Sequence, residues 1–137
     1  GYICDTLCAR LGPRLGCRIP AITGLLSAGI FLYAGLYASS PYSAVILLSL
    51  CFASTQLTEG AYWSAQTYIA GPYTAPACGV MNTGGNLAGI VVAPLMPYLA
   101  GHVGWATALS SGTVMAVLGA TLWLFIRADR PFIPASD

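Results

Sequence analysis

Few residues of this chain can do chemistry, and those few stand among apolar neighbours. Glu59 is the only acid between Asp5 and Asp129. On a helix it shares a face with Ser49, Phe52, Gln56, Trp63 and Gln66, at spacings of three and four. Further on, "GVMNTGGNLAG" (Gly79 to Gly89) sets Asn82, Gly85, Asn86, Gly89 and Ala93 within about one 100° arc of a helix, with Leu87 and Val91 pointing away. Two uses of this second face are open. Gly85 and Gly89 form a small-xxx-small pair that admits a neighbouring helix, and asparagines across such a contact contribute about 0.6 kcal/mol each. Alternatively, Asn82 and Asn86 face a water-filled cavity and hydrogen-bond a polar solute. Glu59 has two uses as well: a protonated structural acid, or a proton carrier whose affinity desolvation raises. Trp63 has the shape to wall a binding site beside it.

Other chemistries find no residues. There is no Ser-His-Asp arrangement, phosphate loop or Cys-x-x-Cys. Five cysteines (Cys4, Cys8, Cys17, Cys51, Cys78) and the single histidine, His102, are too dispersed for a tetrahedral metal site, so the cysteines read as small apolar filler. The expectation is a protein that is not an enzyme and holds no metal or cofactor. Nor is there a basic stripe for nucleic acid.

The elements that position these residues are membrane spans. Of 137 residues, 57% are hydrophobic and 7% charged, with a mean hydropathy of +0.75, whereas soluble domains carry roughly 25% charged residues. Between Arg18 and Glu59, and again between Glu59 and Arg127, no formal charge occurs. Each stretch can hold about two spans of about 20 residues. The expected spans are 19–38, 42–69, 77–100 and 106–126. They are punctuated by "SSPYS", "AGPYTAP" and "GHVGW", and the third is interrupted by Pro94 and Pro97. Four spans return the chain to its starting side, so Arg10, Arg14, Arg18, Arg127 and Arg130 all fall on one side, the cytoplasm by the positive-inside bias. Trp105 and Trp123 lie near span ends, as in aromatic belts. The opening "GYICD" lacks Met and a signal peptide, and the chain is expected to be a fragment.

"YWSAQTYIAGPYTAPACGVMNTGGNLAGIVVAP", followed by Gly104-Trp105, closely resembles the tenth and eleventh helices of the anion:cation symporters of the major facilitator superfamily, which include bacterial hexuronate, glucarate, galactonate and phthalate carriers. Tyr62-Trp63, the block Gly79 to Gly89 and Pro94 carry the match. The opening "GYICDTLCARLGPRLGCRIP" resembles a degenerate form of that superfamily's G-x-x-x-D…R loop motif, with Gly1 and Asp5 matching and Arg10, Arg14 and Arg18 supplying its basic end loosely. Departures fall at Tyr68, where relatives often carry an acid, and at "APAC".

The resemblance implies an all-α membrane protein of four transmembrane helices, corresponding to helices 9–12 of a twelve-helix fold. Residues 1–18 would be a cytoplasmic gate loop, with Gly1, Asp5, Arg10 and Arg14 as gate residues, and 19–137 part of the C-terminal half. It implies alternating-access transport of an organic anion, a sugar acid or related carboxylate, coupled to a cation, H⁺ first. Asn82 and Asn86 would bond the solute, Trp63 would wall the site, and Gln56 and Ser64 would be secondary contacts. Glu59 would be a proton site or polar anchor, and Gly85 and Gly89 the helix-packing pair. The expected partners are the anion, the cation, the lipid bilayer and the carrier's N-terminal half, in a bacterial inner membrane with both ends cytoplasmic. The alternative is a small four-span structural or assembly protein without transport.

Overall fold

The computed structural model describes residues 2–132. Every regular element among them is helical: α1 (Tyr2–Leu36), α2 (Pro41–Ala70), a short 3₁₀ turn (Gly71–Tyr73), α3 (Thr74–Val103) and α4 (Trp105–Trp123). Three stretches are long and apolar enough to cross a membrane: Tyr2–Leu36, Pro41–Val103 and Trp105–Trp123. The middle one, 63 residues long, joins α2, the 3₁₀ turn and α3.

Local sequence explains the boundaries. Ser40 caps α2 with a reciprocal box: its hydroxyl accepts from the Ser43 N–H at 3.2 Å, while Ser43 Oγ accepts from the Ser40 N–H at 3.2 Å. Pro41 follows at the first helical position, where its missing N–H costs nothing. Between α3 and α4 the break is a single residue, Gly104, at φ 85°, a conformation open to glycine. Pro94 and Pro97, expected to interrupt the third span, lie inside α3 without ending it. The segment expected as a gate loop also differs: 2–18 is helical, broken only at Gly12 (φ 82°, ψ 162°). Pro13 excludes the helical conformation from the residue before it, and glycine tolerates the result.

α1 is the hub. Its small face, Ala21, Gly24 and Ala28, packs against α2 and α4, and Thr58, Ala61 and Ala65 supply the matching small face of α2. A Cβ on Gly24 would collide with the Thr58 hydroxyl and stand 2.8 Å from the Ser54 carbonyl oxygen, so only glycine lets the backbones come this close. Thr58 Oγ1 donates to the Ala21 carbonyl at 3.3 Å across that contact. Trp123 is 1% exposed and meets the ring of Tyr62 edge-on at 5.1 Å. It is thus a core residue and not part of an interfacial belt, because the small faces of α1 and α2 leave a space that an indole fills.

At the end of α4 the backbone carbonyls run out of helical partners. Arg18 supplies them: Nε donates to Ile126 O at 3.0 Å, and Nη2 to Leu124 O at 2.5 Å and Ile126 O at 2.8 Å. Beyond, the Phe132 N–H bonds the Ile69 carbonyl at 2.8 Å, so residues after α4 are tied to both α1 and α2. In contrast, α3 contains no buried residue.

Candidate functional site

α2 and α3 enclose a cleft of about 480 Å³ lined by Leu25, Thr55, Thr58, Glu59, Tyr62, Trp63, Met81, Asn82 and Gly85. Its volume lies within the range of small-molecule sites, roughly 300–1,000 Å³. Glu59 and Trp63 reach it from α2 because four residues bring the helix a little more than once around. Asn82 and Gly85 reach it from α3 by the three-residue step. Thr58 and Thr55 already give their hydroxyl protons to the carbonyls of Ala21 and Phe52. The carboxyl and the amide that line the cleft are those of Glu59 and Asn82.

The other residues singled out in the sequence are placed apart from this cleft. Gln56 lines a second cleft of about 250 Å³, with Tyr2, Ile3, Cys4, Pro20, Leu57 and Gly60. The single polar face expected on α2 is thus divided between two clefts by α1, which packs beside it. Ser64 is half-buried and lines neither. Asn86 is exposed one turn beyond Asn82. Gly85 and Gly89 have open space where a Cβ would be, so among the described residues no helix packs on the pair. Of the gate residues, Asp5, Arg10 and Arg14 are exposed, and Gly1 lies outside the described residues.

Sequence reasoning missed Thr55, Thr58, Tyr62 and Met81 as lining. Tyr62 could have been found from its place beside Trp63, but the hydroxyls sit on the small face of α2 and look like packing residues. It also missed Arg18 as the partner of α4. No arginine lines the main cleft. Its one formal charge is acidic, so within this chain the cleft offers an anion hydrogen bonds and aromatic walls but no counter-charge.

Comparison with known proteins gives this arrangement a context. The chain is 35% identical over 130 residues to a probable sulfoacetate transporter, SauU, of Cupriavidus necator, matching 93% of this chain and 30% of that protein. It is 26% identical over 132 residues to a probable chloroplastic anion transporter of Oryza sativa subsp. japonica, and 25% identical over 132 residues to a chloroplastic sodium-dependent phosphate transport protein of Arabidopsis thaliana. All three relatives are transporters. They are not enzymes, consistent with a chain that is not an enzyme. The matches cover 95% of this chain in both plant proteins but only 25% and 26% of theirs, so the chain spans less than a third of the length of each of these relatives. No protein-family model matches the chain, and no solved structure does. The apolar helices and the transporter relatives together indicate an integral membrane protein.

Proposed function

We propose that the chain is the C-terminal four-span part of a secondary carrier that moves a small organic anion together with a cation, H⁺ first, by alternating access. The observation that carries this is the meeting of Glu59, Trp63 and Asn82 in one cleft, in a chain similar along 93% of its length to a transporter. α2 and α3, at 30 residues each and about 1.5 Å per residue, each exceed the roughly 30 Å hydrocarbon core, which favours reading the 63-residue stretch as two spans. With four spans, all five arginines share one side, and the positive-inside bias makes it cytoplasmic. The remaining helices, including the partner for Gly85 and Gly89, belong to the rest of the carrier.

Charge bookkeeping in the cleft supplies the coupling. An ionised Glu59 repels an anion, and a protonated one does not. A proton on Glu59 therefore precedes or accompanies the anion, whose counter-charge comes from outside this chain. Asn82 donates to the anion or its hydroxyl groups, Trp63 walls the site, and Asn86 on the next turn serves the solute in the other orientation of the halves. The substrate class is a sugar acid or related carboxylate, and a sulfonated carboxylate is the first to test because a relative bears that name.

Uptake by the full-length carrier in membrane vesicles tests this. Asn82→Ala is expected to lower uptake by about tenfold, a loss of roughly 1.4 kcal/mol of solute binding, at unchanged membrane abundance. Glu59→Gln is expected to remove the pH dependence of accumulation. Wild-type uptake by Asn82→Ala removes Asn82 from the site, and a Glu59→Gln carrier that keeps both accumulation and its pH dependence removes the proton role.

A further inference from the structure

Three cysteines that look dispersed in sequence converge in space. Cys4 and Cys8 precede the break at Gly12, and Cys17 follows it. On an unbroken helix the nine residues from Cys8 to Cys17 would put them on opposite faces, roughly 13 Å apart along the axis. The kink folds the two arms together instead. Cys8 Sγ stands 3.6 Å from Cys17 Sγ and 4.0 Å from Cys4 Sγ, and all three sulfurs lie within 4.8 Å of one another. They are 3%, 5% and 0% exposed. Gly16 makes the approach possible, since a Cβ there would collide with the backbone and sulfur of Cys8. Cys4 Sγ also donates to the Gly16 carbonyl at 3.6 Å, and the three buried thiols form a preorganised set of soft donors.

Packing alone does not require sulfurs to point at one another, and a disulfide would use two and leave the third idle. A metal uses all three. At a metal–sulfur distance of about 2.3 Å, three sulfurs around a trigonal centre stand about 4.0 Å apart; the pairs here are 4.0 Å, 3.6 Å and no more than 4.8 Å, so small side-chain shifts close the triangle. Zinc in structural sites takes four ligands, and iron–sulfur clusters take four cysteines. Among the described residues the group of candidate ligands contains only these three. Soft thiolates select monovalent copper, which accepts three-coordination. The cleft lined by Tyr2, Ile3, Cys4 and Gln56 opens beside the cluster and gives a route in.

We propose that Cys4, Cys8 and Cys17 form a three-thiolate site for a soft, thiophilic monovalent cation, Cu(I), that staples the two arms of α1 across Gly12. Binding replaces three S–H bonds with three metal–sulfur bonds and releases three protons to solvent, with no change of oxidation state.

The experiment is a titration of the detergent-purified protein, held oxygen-free with a phosphine reductant, with Cu(I) against a chromogenic Cu(I) chelator. The expected result is one Cu(I) drawn from the chelator per chain. The Cys51→Ala, Cys78→Ala double variant should retain it. Cys17→Ser should weaken it by more than the roughly 10- to 100-fold typical of losing an outer partner of a metal ligand. X-ray absorption on the unsubstituted protein decides the matter even if Cys17→Ser does not fold: three sulfurs at about 2.3 Å support the site. Failure to compete with the chelator, a shell of nitrogen or oxygen, or loss of binding in the Cys51, Cys78 variant overturns it.

Discussion

α1 and α3 are built from similar materials and meet opposite fates. Both are long, both carry several glycines and two internal prolines, and both present a face of small residues. On α1 that face is filled: Gly16 meets Cys8, Gly24 meets Thr58 and Ser54, and Gly29 meets Ala116. On α3, Gly79, Gly84, Gly85, Gly89 and Gly101 meet nothing within 4 Å. In lipid, small residues bring helices together by close packing and not by a hydrophobic drive, so a small face without a neighbour gains nothing. The contrast teaches that a glycine stripe shows where a helix can be approached, while only the polar residues on it hint at what comes. On α1 the stripe is made of Gly and Ala and is met by helices. On α3 it carries two asparagines, and one of them borders the cleft with Glu59.

Five substitutions sharpen or break this contrast, beginning with the largest effect. Gly24→Leu forces a side chain into the Ser54 carbonyl and Thr58, and should destabilise the detergent-purified protein by about 3 kcal/mol, at the upper end of overpacking costs. Gly89→Leu, facing open space among the described residues, should leave the unfolding midpoint of the 137-residue chain on its own within error, and equal losses in the two variants would erase the distinction between the faces. Arg18→Ala removes three hydrogen bonds to the carbonyls after α4 and should cost about 1.5 kcal/mol, the low end for charged donors at a half-buried site. Arg18→Lys should recover less than half of that, because an ammonium cannot present the planar fork. Thr58→Val should cost about 0.6 kcal/mol, as for an interhelical hydrogen bond; a loss above 2 kcal/mol would mean that the hydroxyl does more than bond Ala21.

Much of the helical plan was legible. Ser40-Pro41 and Gly104 mark helix ends through local rules that hold in any surroundings, and 42–69 and 106–126 fall within a few residues of α2 and α4. Residues 2–18 were harder, since Gly, Pro and three arginines look like a loop and only the torsion at Gly12 shows where two helical pieces meet. Convergence of the cysteines follows from that same torsion and could not be counted from spacing. In the cleft, Glu59 with Trp63, and Asn82 with Gly85, were each legible as faces of single helices. That the two faces look at each other, and that Gln56 turns to another cleft, depends on where α1 lies between them, which periodicity within one helix does not encode.

The arginine that closes the end of α4 also imposes an order on assembly. Arg18 precedes Leu124 and Ile126 by more than a hundred residues, so it leaves the ribosome well before its acceptors do. Until they arrive, a guanidinium at the head of a membrane helix has no acceptor there, and when they arrive their carbonyls have few other donors in reach. The bond therefore spans more than a hundred residues and forms only after every intervening helix is threaded. It is a late contact, one that a chain cut before Leu124 cannot make.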